Sequence, residues 1–569
     1  MRNNSYRWEI LSKTKDQKQM TKSQDIVDIL LRNRGIKSRK EKDEFINPTP
    51  PEKLTLKSLS ISEKEIEKAI KRIEKAIKNS EEIIIYGDYD ADGVCATAIL
   101  WECLYSLTKN VKPYIPSRFE EGYGLNAESI QELKTKNEKL KVIITVDNGI
   151  SANEAVDKAN ELGIDVIITD HHQKGKKLPQ AHSVIHTDKI CGSGVTWVFS
   201  REVLTQLPTA GYQLQRSLDL AAIGTISDQM PLIGPNRSFA KYGLEELNIT
   251  KRPGLLALFS EAGLDDGRTR LRDTSARQVG TYEVNFIIAP RINAMGRLEH
   301  AIDSLRLLCT TSLEKGEMLA LHLAKINKDR QKIVDEVVLH AKELAGSKTW
   351  QGAIVVAHES YHEGVIGLAA AKLVEEYYRP AIVLSMGEKV SKASARSISG
   401  FNIIESIREL DKIILGGGGH PMAAGFSIET EKIELFIAKY TELSAKLLSD
   451  EILTKKLKID LELKFIQLDY ELLEQLQKFE PTGIGNPTPV FSSKDVKVIS
   501  AKTVGTDGSH LKLELEKDGK KINAIAFGKG EILPKLSSQK VIDVVYNLTE
   551  NTWNGNKSLQ LKVKDIKLS

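Results

Sequence analysis

The chain has 569 residues, of which 41% are hydrophobic, 28% charged and 6% aromatic, with a formal net charge of +4; this is the balance of a soluble globular protein of about three or four domains at ~150 residues each. No apolar stretch approaches the ~20 residues of a membrane span, the opening MRNNSYRWEI lacks the apolar core of a signal peptide, and Cys95, Cys103, Cys191 and Cys309 show no CxxC spacing, so a reducing cytoplasm is expected and zinc or disulfides are not. Basic residues exceed acidic ones by five in 1–50 and again in 490–569, leaving 51–489 at −6; an acidic centre with basic ends suits a polyanion-processing enzyme, and equally a lysine-rich solvated surface.

Residues 24–47 have helical spacing interrupted at Gly35, and NPTPPEK (47–53) closes them off. Residues 61–79 predict an amphipathic Lys/Glu helix, with Ile66, Ile70, Ile73 and Ile77 on one face. An N-terminal helical region over 1–78 is therefore expected. Three β-branched runs follow, EIIIY (82–86), KVIITV (141–146) and DVIITD (165–170), separated by helical segments. Such runs predict a parallel sheet with crossover helices, whose ligands collect at the C-terminal strand ends. Residues 217–229 read as a helix delivering Asp228 to the same place, and this α/β domain is set at 79–300. From 301 to 347 the pattern is almost continuously helical, a long connecting helix. A second α/β domain, 348–450, carries strand runs at 352–358 and 381–386 and the glycine-rich LGGGGHPMAAGF (415–426). The remaining 451–569 alternate five strand-like runs with turns, which fits an OB-like β-barrel.

The chemistry concentrates after the first strand, in GDYDADG (87–93). Asp88, Asp90 and Asp92 repel one another unless cations or donors offset the charge. Any single DG or DNG is ordinarily a turn or helix cap. Here, however, VDNG (146–149) and TDHH (169–172) end two further strands, and Asp228 ends a helix. Asp90, Asp92, Asp147, His171 and Asp228 together form a set fit for two-metal phosphoryl chemistry, in which paired ions polarise a phosphate and acidify a shared water. Mixed Asp/His donors suit Mn²⁺ or Mg²⁺. Asp88 is a further ligand or an orienter of one. His172 stabilises the transition state or protonates the leaving oxygen.

In order and spacing, GDYDADG, VDNG, TDHH and AAIGTISDQMPL (221–232) resemble the four motifs of the DHH phosphoesterase superfamily. IPSRFEEGYGL (115–125), FIIAPRINAMGRL (286–298), YHEGVIGLAAAKLVEEYYRP (361–380), SARSISGF (394–401), GGGHPMAAGF (417–426) and FEPTGIGNPTPVF (479–491) are similar to its RecJ branch of 5′→3′ exonucleases along nearly the whole chain. The resemblance implies a DHH catalytic domain, a DHH-associated domain and an OB-fold. It also implies Asp90, Asp92, Asp147, His171 and Asp228 as ligands of two Mn²⁺ or Mg²⁺ ions, with Asp88, Asp147 and His172 in catalysis. In some relatives a histidine stands at the position of Tyr86; phenol is a poor ligand, and Asp88 is the candidate to replace it. His186-Thr187 stands where such chains often have Asn-Pro. The implied substrate is single-stranded DNA, in repair and recombination, for a monomeric enzyme working with a helicase and a single-strand-binding protein.

Arginine is the expected reader of a terminal phosphate, because its planar fork matches two phosphate oxygens. Arg118 and the loop of Ser394, Arg396 and Ser397 resemble 5′-phosphate-binding elements; by itself an SARS loop is an ordinary surface turn. His420, after the Gly416–Gly419 run, is a candidate phosphate or sugar contact, and His362 a support of the groove. Arg291, Asn293 and Arg297 line that groove or form salt bridges across it. Phe491, Phe527, Tyr546 and Trp553 are aromatics available to a strand on the barrel. Two other functions fit parts of the sequence: a small-substrate phosphodiesterase, which would not need 460–569, and a DNA-binding scaffold that has lost its metals.

Overall fold

The Ile-rich runs build the expected parallel sheet. A computed structural model of the chain describes residues 6–12, 23–209, 211–264, 278–345, 350–536, 540–553 and 556–568. These fall into two units, Pro50–Met230 with Ser238–Thr454, and the stretch up to Thr49 with Pro231–Arg237 and the chain from Lys455 onward.

In the larger unit, α1 (Glu63–Lys78) precedes β1 (Glu82–Tyr86), and β2 (Val111–Tyr114), β3 (Leu140–Val146), β4 (Asp165–Asp170) and β5 (Ser183–His186) follow. All pairings are parallel, in the order β2-β1-β3-β4-β5. Ile83, Ile85, Ile143, Ile144, Ile167 and Ile168 are buried, as two-sided strands require. The order reverses between β1 and β3, and at such a reversal the crossover helices diverge and leave a crevice at the strand ends. Behind it, α2 (Ala91–Tyr105) is apolar on nearly every face and packs against α3 (Gly192–Gln206) and α4 (Leu218–Ser227). α5 (Ala289–Leu298) continues a helical run that begins at Thr281 and passes through a π turn at Val284–Ile288.

The long connecting helix is interrupted. A helix over Ile302–Cys309 ends before α6 (Leu313–Ala345) begins, because Thr310 and Ser312 hold local bonds instead. Thr310 Oγ1 accepts the Ser312 amide at 3.2 Å, and Ser312 Oγ accepts the Lys315 amide at 3.3 Å. Hydroxyls that bond nearby amides compete with helix propagation and restart it as caps. The boundary expected at 347 lies outside the described residues. Val334, Val337, Val338 and Ala341 of α6 join the core of a second sheet. That sheet holds β6 (Ile354–His358), β7 (Ala381–Ser385), β8 (Val390–Arg396), β9 (Ile414–His420) and β10 (Ala423–Glu429), in the order β9-β10-β8-β7-β6. Between β6 and β7 lies α7 (Ile366–Tyr377). No helix among the described residues is long and apolar enough to cross a membrane.

In the smaller unit, β11 (Phe491–Val504), β12 (His510–Lys517), β13 (Lys520–Ala526), β14 (Val541–Trp553) and β15 (Asn556–Leu568) are the five predicted strands. They run β11-β12-β13-β15-β14, and β14 pairs back onto β11, closing an OB-type barrel. The N-terminal residues expected as one helical region are divided. Strand Arg7–Ile10 pairs with Lys456–Ile459, and Ile26, Val27, Leu30, Leu31 and Phe45 bury into the barrel core with Leu472, Phe479 and Leu511. Arg237 secures the same unit, donating to the carbonyls of Phe45, Lys478, Phe479, Glu480 and Pro481 at 2.6–3.1 Å. α1, from the same N-terminal stretch, packs instead on the parallel sheet, against β3 and β5.

Candidate metal centre and phosphate pocket

Each acidic motif follows a strand of the reversal or caps a helix beside it. Asp90 is the N-cap of α2, its Oδ1 accepting the Gly93 amide at 3.0 Å. The cap and the cluster therefore coexist in one residue. Asp92, in the first turn of α2, accepts the Gly192 amide at 2.7 Å on one oxygen and the Ser193 amide at 3.0 Å on the other, so the start of α3 holds it. Asp147 takes a left-handed φ of 63° immediately after β3. Asp228 follows the last turn of α4. The approach is close enough to require glycine twice. A Cβ on Gly192 would lie 2.3 Å from Asp147 Oδ1, and one on Gly224 would lie 2.2 Å from Asp92 Oδ1.

The donors fall into three overlapping groups. Asp88, Asp90 and Asp147 offer oxygens within 4.8 Å of one another; oxygens of Asp92 and Asp228 with a ring nitrogen of His171 lie as close, and so do an Asp147 oxygen and ring nitrogens of His171 and His172. His171 Nε2 joins the sets, 3.0 Å from Asp147 Oδ1 and 3.7 Å from Asp228 Oδ2. Asp147 Oδ1 and Asp88 Oδ1 are nonetheless buried without a hydrogen bond. Buried carboxylate oxygens left this way are costly unless a cation faces them. Titration behaviour follows. Burial, and then Asp92, Asp90 and Asp88, push Asp147 well above the usual carboxylate range. Burial and Asp90 do the same to Asp88, while burial with Asp92 raises Asp90 and takes Asp228 to about 8. Burial lowers His171, which keeps its imidazole neutral. A repelling carboxylate set with one neutral imidazole fits hard or borderline divalent ions.

Beside it, His172 is held by a residue the sequence reading overlooked. Asp170 Oδ1 lies 2.8 Å from His172 Nδ1 and accepts the His171 and His172 amides, while its Oδ2 accepts Ile150 N. Burial alone would lower His172, but this bond and the charge of Asp170 raise it to about 9. Tyr123 OH lies 3.1 Å from His172 Nε2. His186 Nε2 lies 2.7 Å from the His172 carbonyl, and Thr187 Oγ1 donates to Leu59 O, so the unusual His-Thr pair serves as local bracing. Tyr86 is fully buried and donates to Gly124 O at 3.2 Å.

A second cluster carries the opposite sign. Arg118 stacks over Tyr89, inside the GDYDADG loop, at 5.2 Å. Arg297 is lowered to about 10, by burial and then by Arg118 and Arg330, with Arg396 adding to it. Burial and Arg118 also lower Arg396. Arg330, on α6, has a buried Nε without a partner. The charge of Asp90 partly offsets the lowering on Arg297. Ser394 Oγ accepts from Arg396 at 3.2 Å, and Gly367, in the first turn of α7, lies against both. Guanidinium groups, a hydroxyl and a helix N-terminus are the donors from which an anion pocket can be built.

Other expected contacts are engaged elsewhere. Arg291 pairs with Glu261 at 2.8 Å and does not face the groove as a free cation. Asn293 Oδ1 accepts the Ala91 amide at 2.7 Å, which fixes the start of α2. Ser397 is buried and donates to Phe401 O at 2.6 Å, so its hydroxyl braces the loop instead of reaching phosphate. His420 is exposed at the end of edge strand β9, and Gly416–Gly419 are strand residues, not a free loop. His362 stacks edge-on to Phe119 at 5.4 Å. Phe491 and Tyr546 belong to the barrel core, whereas Phe527 is 54% exposed beside Lys562; the side chain of Trp553 lies outside the described residues.

Comparison with known proteins gives three family matches: "DHH family, N-terminal domain" over 82–225, "DHHA1 domain" over 351–446 and "RecJ OB domain" over 459–565. The Single-stranded-DNA-specific exonuclease RecJ of Bacillus subtilis is 36% identical over 501 residues, covering 86% of this chain and 62% of its own. The Escherichia coli exonuclease of that name is 31% identical, covering 88% of this chain and 90% of its own. The Thermus thermophilus RecJ crystal structure in complex with Mn²⁺ superposes with a TM-score of 0.82 at 28% identity, over the whole of this chain and 80% of its own.

Proposed function

The chain belongs to the RecJ family, and from that membership we propose that it is a metal-dependent exonuclease that degrades single-stranded DNA 5′→3′ to mononucleotides. The observation that carries this reading is the cluster of overlapping donor groups, with a buried Asp88 oxygen that no hydrogen bond satisfies. Asp88, Asp90 and Asp147 would hold one divalent ion, and Asp92, His171 and Asp228 a second. Two Mn²⁺ or Mg²⁺ ions supply Lewis-acid stabilisation of the phosphate and a water of lowered pKa.

The chain's own groups do the rest. Asp170 fixes the His172 ring and keeps it protonated, so its Nε2–H can serve the leaving oxygen. The arginine pocket binds a terminal phosphate, whose second charge distinguishes a strand end from an internal phosphodiester. Lys562 and the exposed Phe527 ring suit the barrel to a single strand, with charge on the backbone and a ring for a base. The setting that accompanies this reading is DNA repair and recombination, in the cytoplasm, as a monomer alongside a helicase and a single-strand-binding protein.

The test is digestion of 5′- and 3′-labelled single strands and duplexes with Mn²⁺ or Mg²⁺, beside the Asp147→Ala variant. Early release of 5′ label from single strands alone is expected, and none from the variant. First release of 3′ label would reverse the polarity, and undiminished cleavage by Asp147→Ala would remove that residue from the chemistry.

A further inference from the structure

One helical run, Thr281–Leu298, touches the surroundings of the metal centre through Asn285, Asn293 and Gly296. Towards its end, Asn293 holds the Ala91 amide, Gly296 lies against the Tyr89 carbonyl, and Arg297 enters the arginine pocket. Its beginning is tied to the other side of the site. Asn285 Oδ1 accepts from Gln229 Nε2 at 2.7 Å, and Gln229, next to Asp228, is held at a left-handed φ of 60°. From this beginning project Tyr282 and Phe286, four residues apart. They are 58% and 67% exposed, with ring centroids 4.9 Å apart and planes at 36°.

The π turn at Val284–Ile288 lies within the same stretch, and such turns are frequent at functional sites. Single exposed apolar residues are ordinary on a protein surface. Two adjacent rings more than half exposed, on a segment bonded to Gln229, the neighbour of the candidate ligand Asp228, are not explained by core packing.

We infer that Tyr282 and Phe286 form a stacking platform for nucleobases of the single strand as it leaves the metal centre towards its 3′ side. This rests on the nuclease reading above. A ring face accepts every base, which suits an enzyme that must pass any sequence. The spacing also fits: Arg297 and Phe286 are separated by about 16 Å of helix at ~1.5 Å per residue. That span is no more than about five nucleotides of stacked strand at ~3.4 Å each. A terminal phosphate in the arginine pocket, a scissile phosphate beside Asp90 and bases on the rings can therefore belong to one short segment.

The test uses the full chain carrying Asp147→Ala, so that the strand is not consumed, with and without Tyr282→Ala plus Phe286→Ala. The probe is a 5′-phosphorylated twelve-nucleotide strand with 2-aminopurine placed at successive positions, titrated at several salt concentrations. The double substitution is expected to weaken binding at least about tenfold and to remove the fluorescence quenching at one or two positions. It should leave the slope of affinity against salt unchanged, because stacking releases no counterions. Tyr282→Phe should retain both affinity and quenching, and thermal melting should not move, since both rings are exposed. Unchanged affinity and quenching in the double variant would overturn the platform, while digestion by the unsubstituted chain would leave the nuclease reading standing. If the unsubstituted chain neither binds nor digests a single strand, both fall together.

Discussion

Two clusters of like charge meet around the GDYDADG loop, and they are built in opposite ways. The carboxylates of Asp88, Asp90, Asp92, Asp147 and Asp228 come from strand ends and helix caps, where the backbone itself directs them inward. The guanidinium groups of Arg118, Arg297, Arg330 and Arg396 come from a loop, two helices and a strand of two different sheet systems. Each cluster repels itself, the acids mostly buried and the arginines half-buried, one suited to cations and the other to an anion. The difference is one of origin: a metal set can arise within a single α/β sheet, whereas the proposed anion pocket needs α6, α7 and β8 packed against that sheet's loops.

The sharpest way to break this comparison is to remove the shared acid. Asp147→Asn is expected to lower the rate of 5′-label release by at least about 10³-fold. It should at the same time raise the melting temperature in chelator, because one member of a repelling set is gone. Mn²⁺ should stabilise the unsubstituted chain, by about 2.7 kcal/mol at a hundred times Kd, and Asp147→Asn much less. A melting temperature indifferent to Mn²⁺ in both would break the metal assignment. Next in size, His172→Ala should cost about 10²–10⁴-fold in kcat. Asp170→Asn should follow in the same direction with strand affinity kept, since Asp170 acts through the His172 ring. Equal kcat in Asp170→Asn and the unsubstituted chain would dismiss that pairing.

On the basic side, Arg330→Ala and Arg396→Ala are each expected to reduce the preference for 5′-phosphorylated over 5′-hydroxyl strands by about tenfold. Competition between the two strand types measures this directly. A loss equal for both types would make Arg330 a general phosphate contact instead of an end reader. Smallest of all, Arg291→Ala should lower stability by about 1 kcal/mol or less, as a partly exposed ion pair with Glu261 does. Its strand affinity, by filter binding, should be unchanged; a large fall would return Arg291 to the groove.

What could be read from the residues themselves was local. β-branched runs bounded by turns become strands whatever surrounds them, and acids placed directly after such strands inherit a position at the sheet's C-terminal edge. That made β1, β3, β4 and the barrel strands legible in the sequence, and it marked Asp90, Asp92, Asp147, His171 and Asp228 as candidates for one site, where their side chains do gather. Periodicity could not show that Thr310 and Ser312 interrupt the long helix, because their hydroxyls win by side-chain bonds that hydropathy does not register. Nor could it divide residues 1–78 between two units, since an amphipathic helix announces a buried face without naming its partner. Arg291 and Arg297 are six residues apart in one motif, yet one is neutralised by Glu261 and the other lies among arginines. Arg330 carries no local signal at all in a charged helix. Their roles were decided by packing, because a charge's function depends on what stands opposite it, and residues far apart in the chain become opposite only when the chain is folded.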